Sequence, residues 1–408
     1  MASFRSRILA SWDQGCVSPR RLWRYSCHLI AITMILQAGL AHADTDARFA
    51  DEWSALIAAA KTEGRLTASV GTVQDYQRVL DAFTKNFGIP VQALGGSGSA
   101  RVSRILAERS AGKYTVDIAM LSAASTTRRL EPAAALVDIP SLMIHPEVLD
   151  TSHWYLNRHW YMDSENTKTI FAFNVRASST WVFWYNTDKL TEADVASLKT
   201  PMDFLDPKWR GMMADQSWND PGRLGDMTEA YLATDAGPTW VKRYLTEMNV
   251  AFTSDMRLEE TWLVKGRNPL KWNEGNIGNI LRDLRAKGLP IKDVRLPRET
   301  GVLEARGSCC ITVLRNAPHP NAAKLFLNWF LSREGQTELH NIDPPRSFTS
   351  LREDIPAGNT SEDVRRVPGM NYSFRDFDPR YKEQEESIRE FILNAYRDGQ
   401  ANSGSSRR

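Results

Sequence analysis

Residues 316–336 read Asn-Ala-Pro-His-Pro-Asn-Ala-Ala-Lys-Leu-Phe-Leu-Asn-Trp-Phe-Leu-Ser-Arg-Glu-Gly-Gln, and they say most about the fold of this chain. Pro318 and Pro320 exclude a helix before them, and Pro320 suits a first helical residue, which needs no N–H donor. Ser332 can cap a second short helix whose first turn contains Glu334. Apolar side chains recur every three or four residues and predict one stripe on the first helix: Ala322, Leu325, Phe326, Trp329 and Phe330. The stretch therefore predicts a turn, an amphipathic helix and a shorter capped helix.

The first 43 residues predict a secretory signal peptide rather than a buried N-terminal helix. Arg20, Arg21 and Arg24 precede an apolar run over 29–40, which ends at Ala41-His-Ala43. The run is too short to span a bilayer, and a basic flank followed by A-x-A is typical of a cleaved export signal. We expect a periplasmic protein. Sec and twin-arginine export both stay open, as does the true translation start.

Composition and charge limit the classes of partner. The chain has 408 residues, of which 42% are hydrophobic and 25% charged, and this is enough for two globular domains. Residues 1–43 hold five arginines and one aspartate, so their removal turns the formal charge of +2 into −2. We therefore expect no nucleic-acid partner, which would need a clustered basic surface. No second apolar run approaches spanning length, so we expect no stable membrane insertion.

Only two cysteines, Cys309 and Cys310, follow the signal peptide, and they begin the apolar run 309–314. Adjacent cysteines can form a strained vicinal disulfide. We favour the other interpretation, two small residues in a buried strand.

The pattern along the rest of the chain predicts an α/β fold. Helices are predicted at 51–60, 76–87, 100–110, 226–234, 239–249, 277–287 and 383–396, and strands at 66–70, 91–94, 116–121, 171–175 and 181–186. Strands that alternate with helices of ten or more residues indicate parallel-rich sheets with helices on both faces.

Beside these elements, residues 316–336 resemble a block of the solute-binding proteins of bacterial ABC importers, in the branch named for ferric-ion binders. Further landmarks resemble that family in the same order: Trp53…Lys61-x-Glu63-Gly64, Ala82-Phe83…Gly88-Ile-Pro-Val91, Glu108-Arg109…Val116-Asp117, Trp184-Tyr-Asn-Thr187 and Pro201-Met-Asp-Phe-Leu-Asp-Pro-Lys-Trp-Arg-Gly211. The resemblance covers nearly the whole chain after the signal peptide.

The resemblance implies the two-lobe fold of type II periplasmic binding proteins, with a ligand cleft between the lobes. It implies one lobe from 44–184 and 301–350, and another from 185–300 and 351–398. It also implies a small-molecule solute, an ABC permease and its ATPase as partners, and a monomer. From composition we expect the Gly/Ser-rich tail 399–408 to be disordered.

Three loops and the stretch 271–277, which is also predicted to be a cleft loop, carry the candidate ligand-binding residues, because small ligands bind at the carboxyl ends of parallel strands. Glycines let backbone N–H groups approach an anion, hydroxyls add donors, and a guanidinium holds an anion at two points. The indoles can stack on a ring or an organic cation. The candidates are Ser97, Gly98, Ser99, Arg101, Ser122, Trp218, Asn219, Arg223, Trp272, Asn273 and Glu274. Residues 95–101 lack both G-x-G-x-x-G and the P-loop lysine, so we expect no nucleotide site.

The residues argue against iron, although the family branch is named for it. Ferric-ion binders of this branch use adjacent tyrosines, and the corresponding stretch here, 271–277, contains none; no Tyr-Tyr pair occurs in the chain. His153 and His159 fit no standard zinc spacing, and we expect them to be packed or solvated. We expect no metal and no cofactor.

The sequence thus predicts a periplasmic binding protein that captures a small organic, anionic solute by hinge closure and delivers it to a permease. The alternative is a ferric-ion or metal-complex binding protein for iron uptake. A binding protein that serves a sensor kinase also stays open. We expect no enzyme, because the chain has no G-x-S-x-G, no H-E-x-x-H and no nucleophile with a positioned base.

Overall fold

The computed structural model describes residues 47–162, 167–217, 224–272, 278–305, 309–341, 348–356, 358–360, 364–377 and 379–405. The chain divides into two units, Met1–Ala59 and Ala60–Arg408; helix α1, residues 47–63, begins in the first, and the strands lie in the second. The longer helices of the second unit are α2 (Val73–Phe87), α3 (Gly98–Ser110), α4 (Leu224–Leu232), α5 (Gly237–Glu247), α6 (Met256–Val264), α7 (Gly278–Ala286), α8 (Pro320–Leu331), α9 (Arg333–His340) and α10 (Pro379–Ser405).

Twelve strands are described: β1 (Leu66–Ser69), β2 (Val91–Leu94), β3 (Ile118–Leu121), β4 (Phe171–Ala172), β5 (Asn174–Asn186), β6 (Ala214–Gln216), β7 (Ala251–Thr253), β8 (Leu270–Trp272), β9 (Ile291–Glu304), β10 (Cys310–Val313), β11 (Thr349–Ser350) and β12 (Tyr372–Phe374). Short helical segments lie at Ala123–Ser125, Thr126–Leu130, Pro140–Leu142, Pro146–Leu149, Thr151–His153, Tyr155–Asn157, Glu192–Val195, Pro201–Leu205, Pro207–Trp209 and Arg375–Phe377. No helix in these described ranges is both long and apolar enough to cross a membrane.

The first sheet has the order β2-β1-β3-β10-β4. β1 is parallel to both β2 and β3, whereas β10 runs antiparallel to β3 and β4. β1, β3 and β10 are buried along their whole length. Because β1, β2 and β3 are parallel, the loops that follow them meet at one edge of the sheet.

Two long antiparallel strands, β5 and β9, form the centre of the second sheet. They pair from Arg176 opposite Glu304 to Asn186 opposite Ile291, with an irregular register between Ser178 and Thr180. The sequence predicted separate strands at 171–175 and 181–186, but β5 is continuous across 174–186. β11 and β8 pair with β5, and β12 pairs with β9.

The stretch 316–336 folds as predicted in outline. Pro320 stands in the first turn of α8, and the Ser332 hydroxyl caps α9 by accepting from the Gly335 N–H at 3.4 Å. Instead of burying one stripe, α8 is buried from Leu325 through Leu331. Asn328 is tolerated there because its amide oxygen accepts the N–H groups of residues 144 and 145 at 2.8 and 3.0 Å.

Two acidic side chains hold this stretch against the end of α1 and the start of β3. Glu63, the last residue of α1, accepts the N–H groups of Asn321 and Ala322 at 3.0 and 2.8 Å and so caps α8 with a negative charge. Asp117, just before β3, accepts from the N–H and from Nδ1 of His319 at 2.8 and 2.9 Å. Arg65 Nε donates to His319 Nε2 at 3.2 Å, so the ring proton is on Nδ1.

A hydrophobic core lies beside the second sheet, among α4, α5, α10 and β8, and we call it the second core. α10 contributes Ile388, Ile392 and Ala395 to it. The helix continues to Ser405, whereas the composition predicts a disordered tail from residue 399 onward. At Gly399 the helix passes so close to α5 that an added Cβ would overlap the Leu245 carbonyl oxygen, and this glycine makes the approach possible.

The interpretation of the two cysteines also needs correction. Cys309 and Cys310 are both buried, as expected, but they form a vicinal disulfide. In a regular strand, neighbouring side chains point to opposite faces. β10 begins only at Cys310, so Cys309 precedes the regular pleat and the two sulfurs can meet.

Candidate functional site

Backbone contacts draw together the loops at the carboxyl ends of β1 and β2. The Gly96 N–H donates to the Gly71 carbonyl at 3.1 Å. A Cβ at Gly95 would lie 3.0 Å from Val73 Cγ2 and 3.3 Å from the Gly71 oxygen. Only a glycine therefore lets these loops pack so closely, which explains one of the glycines that precede α3.

Hydroxyl groups line the same edge. Ser97 caps α3, and its Oγ lies 3.4 Å from that of Ser99. Ser122 caps the following short helix and donates to Ser125 Oγ at 2.9 Å. A Cβ at Gly98 would lie 3.9 Å from Ser125 Oγ, so the loops after β2 and β3 are neighbours. This edge offers hydroxyls and the amino end of a 13-residue helix, an arrangement suited to an anion.

Arg101 holds the edge together through the donors of its side chain. Its side chain donates to the carbonyl oxygens of Gly96 at 3.0 Å, Ser69 at 3.1 Å and Met120 at 2.8 Å. The residue is 6% exposed, and this burial lowers its pKa. These bonds tie the ends of β1 and β3 to the loop before α3, so Arg101 has a positioning role, and its role as an anion ligand stays a prediction.

A buried charged cluster holds the strands that lead into the other predicted loops. Lys271 on β8 forms ion pairs with Glu259 on α6 and with Asp215 on β6, the second at 3.4 Å. The Tyr244 hydroxyl donates to Asp215 Oδ2 at 3.2 Å, and its pKa is raised by burial and by that carboxylate. The cluster fixes the carboxyl ends of β6 and β8, which precede residues 218–223 and 273–277.

Five of the predicted site residues, Trp218, Asn219, Arg223, Asn273 and Glu274, lie outside the described residues. Trp272 is described, and the interpretation of it as a stacking surface needs correction. Its side chain is fully buried, with ring centroids 4.7 Å from Trp240, 5.5 Å from Tyr244 and 6.1 Å from Trp181. The short strand β8 directs this indole into the second core, so no ring face is open to a ligand.

Gln216 is a polar residue that the sequence analysis missed. It ends β6, one residue before the loop, and is 6% exposed. Its side-chain Nε2 is buried and has no hydrogen-bond partner within the described ranges. A buried donor without a partner is costly, so this position suits an acceptor from outside.

Arg298 on β9 is the second missed residue. Its guanidinium carbon lies 3.7 Å from the centroid of the Trp181 ring, and Nη2 is 3.3 Å from a Glu229 oxygen. Nη1 is buried and makes no hydrogen bond to any residue that the structure describes. Burial lowers the pKa of Arg298 to about 10. The ion pair with Glu229 leaves one buried donor of the guanidinium open, and this donor suits an acceptor such as a carboxylate or phosphate oxygen.

The histidines considered as metal ligands lie elsewhere. His159 Nε2 lies 2.7 Å from the Val148 carbonyl, and its ring packs against Trp154 and Phe171. His153 lies 3.5 Å from an Asp150 oxygen and 3.6 Å from an Asp354 oxygen. Within the described ranges no three His, Cys, Asp or Glu side chains are grouped to hold a metal ion. That this protein binds no metal stays a prediction.

Solved structures share this architecture at low sequence identity. Ferric iron-binding protein A from Mannheimia haemolytica, in an open conformation, matches with a TM-score of 0.57 at 14% identity, covering 82% of this chain and 99% of that one. Iron-bound HitA from Pseudomonas aeruginosa matches with a TM-score of 0.52 at 16% identity, covering 80% and 99%. AfuA from Actinobacillus pleuropneumoniae, with fructose-6-phosphate bound, matches with a TM-score of 0.52 at 14% identity, covering 82% and 99%. The predicted α/β fold of type II periplasmic binding proteins is confirmed.

No curated protein matches the chain significantly in sequence. The family model described as bacterial extracellular solute-binding protein matches residues 78–368. This match spans the first sheet from β2 onward, the long strands β5 and β9, and the stretch 316–336. The chain belongs to the family of bacterial extracellular solute-binding proteins.

Proposed function

We propose that this protein is the periplasmic substrate-binding component of an ABC importer and that it captures a small organic anion. Membership of the extracellular solute-binding family supports the class of function. The signal peptide predicted at 1–43 supports export to the periplasm. The permease and its ATPase are the partners that such a component serves, and the protein acts by binding rather than by catalysis.

The proposed charge of the ligand rests on one observation above all, the open Nη1 donor of buried Arg298. The hydroxyls of Ser97 and Ser122, together with the amino end of α3, add donors at the edge of the first sheet. All of these groups favour an acceptor with negative charge. A carboxylate or phosphate on a small organic body is the ligand that they suit.

Hinge closure is the proposed mechanism. The chain passes from the first sheet to the second between β4 and β5 and returns between β9 and β10, and the pairing of β5 with β9 has an irregular register between Ser178 and Thr180. A ligand that contacts residues on both sides of these strands stabilises the closed form by its differential affinity for it. The permease then recognises that form.

A thermal-shift screen of the protein lacking residues 1–43 tests the proposal. An organic anion at about one hundred times its Kd should stabilise the fold by about 2.7 kcal/mol. The variants Arg298→Gln and Ser122→Ala should each reduce that shift. Arg243→Gln, an exposed arginine on α5 that pairs with Glu247, is the matched control and should leave the shift unchanged.

Two results would contradict the proposal. One is stabilisation only by Fe(III), with a visible tyrosinate-to-iron absorbance band; this result would favour the iron-uptake alternative. The other is an organic anion whose shift is the same in Arg298→Gln as in the unchanged protein, because the proposed charge contact would then be absent.

A further inference from the structure

A cavity lies beside β11 and β12. Its volume is about 410 Å³. Most of its described lining residues lie between positions 349 and 372, and Tyr155 and His340 complete the lining. β11 pairs with β5 and β12 pairs with β9, so the two strands that flank most of the cavity lining belong to the second sheet. None of its described lining residues belongs to the loops after β1, β2, β3 or β6. We call it the C-terminal pocket.

Three arginines line the C-terminal pocket, and one of them is already neutralised. Arg352 is almost fully buried and forms a two-point pair with Asp354, at 2.8 Å from Nε and 2.6 Å from Nη2. Its Nη1 donates to the carbonyl oxygens of Leu331 and Glu147 at 3.0 and 3.2 Å. Arg352 therefore shapes the wall and contributes little net charge.

Arg365 and Arg366 are different, because they bind mainly carbonyl oxygens. Arg365 donates from Nε and Nη2 to the Thr360 carbonyl at 3.0 and 2.6 Å. Arg366 donates from Nη1 to the Ser350 carbonyl at 2.9 Å, while Nη2 reaches Glu353 only at 3.5 Å. Among the described residues, Glu353 is the one carboxylate that pairs with either side chain, and this ion pair is long. Among the described lining residues, Arg365, Arg366 and Glu353 together leave one positive charge in excess, and each guanidinium keeps N–H donors for a further acceptor.

Aromatic and apolar groups complete the walls. The Arg366 guanidinium carbon lies 4.7 Å from the centroid of the Tyr155 ring, so the cation is held over an aromatic face. The Tyr372 hydroxyl accepts the Val367 N–H at 2.7 Å, and its ring lies against Gly301, where an added Cβ would collide with it. The remaining side chains suit the carbon skeleton of a ligand: Ile355, Pro356, Val367, Pro368 and Met370.

We propose that the C-terminal pocket is a second binding site, selective for a small organic monocarboxylate with an apolar body. The single excess charge matches one carboxylate better than a phosphate dianion. The carboxylate lies between the guanidinium groups of Arg365 and Arg366, in the two-point geometry that Arg favours. The apolar body lies against the wall of proline, valine and methionine. This site is independent of the solute cleft, and its ligand need not be the transported solute.

Isothermal titration calorimetry of the purified protein with 3-phenylpropionate tests the site. We expect saturable binding that is weakened about tenfold or more by Arg366→Gln and by Arg365→Gln. Glu353→Gln should tighten binding about threefold, because it removes the carboxylate that competes for Arg366. Arg243→Gln is the control and should bind as the unchanged protein does.

The arginine variants should weaken binding, whereas Glu353→Gln should strengthen it. Damage to the fold cannot produce the gain in affinity expected from Glu353→Gln. The site would be disproved by the absence of binding, or by an affinity that the Arg366 and Glu353 variants leave unchanged. Loss of 3-phenylpropionate binding in Arg298→Gln alone would place the probe in the solute cleft and also overturn the proposal. Inorganic phosphate that binds as tightly as the probe would overturn the assigned ligand class.

Discussion

His159 shows how burial of one side chain couples to stability. Packing against Trp154 and Phe171 lowers its pKa from 6.5, so the folded state favours the neutral ring. The stability gained from the neutral ring is therefore present above pH 6.5 and is lost as the pH falls toward the lowered folded pKa. Unfolding by denaturant should give a lower free energy at about pH 5.5 than at about pH 7.5, and His159→Phe should reduce that difference. An unchanged pH dependence in the variant would show that His159 is not responsible.

At the same scale, Arg101 and Trp272 show what residue type alone does not decide. From residue type, Arg101 at the start of α3 and Trp272 in a predicted cleft loop are both expected to contact the ligand. The sequence indicates where each residue stands relative to the predicted elements, but it does not indicate the direction of the side chain. Arg101 turns toward the carbonyl oxygens of Ser69 and Met120, which become available only when β1 and β3 are side by side. Such directions depend on which strands are neighbours, and local sequence does not contain that information.

The junction of α8 and α9 depends on one glycine of the stretch 316–336. A Cβ at Gly335 would overlap the Trp329 carbonyl oxygen and lie 2.6 Å from Phe330 Cα. The backbone of α8 cannot move away, because residues 325–331 are buried. Gly335→Ala should therefore lower the free energy of unfolding by about 1–3 kcal/mol in chemical denaturation. Gly98→Ala is the control, since its Cβ would meet only Ser125 Oγ at 3.9 Å; equal losses in both variants would contradict the steric explanation.

The elements themselves were largely predictable, because period and composition are local properties. The strand at 91–94 has the predicted bounds, and the helices predicted at 226–234 and 239–249 differ by two residues from α4 and α5. Continuity was harder to predict. β5 runs unbroken through 176–180, where its pairing with β9 maintains an extended chain that the sequence pattern alone does not indicate.

For the whole molecule, the second core depends on the end of the chain. α10 packs on α4 and α5, with Phe391 at 5.2 Å from Tyr231 and Tyr396 at 5.0 Å from Phe252 between ring centroids. Each fully buried apolar side chain contributes about 1.5–3 kcal/mol, so the loss of Ile388, Ile392 and their neighbours approaches the usual stability of a domain. Deletion of residues 379–408 should therefore abolish the cooperative thermal transition of this core. Deletion of residues 406–408 alone should leave it intact, and a full transition after the longer deletion would contradict this dependence.

The vicinal disulfide has a consequence for oxidative folding. Once residues 1–43 are removed, Cys309 and Cys310 are the only cysteines left in the chain. Their bond is therefore the only pairing that one molecule can form, and no shuffling among alternative partners can delay the fold. Formation of this bond needs an oxidant, but a disulfide isomerase would find no alternative pairing to correct.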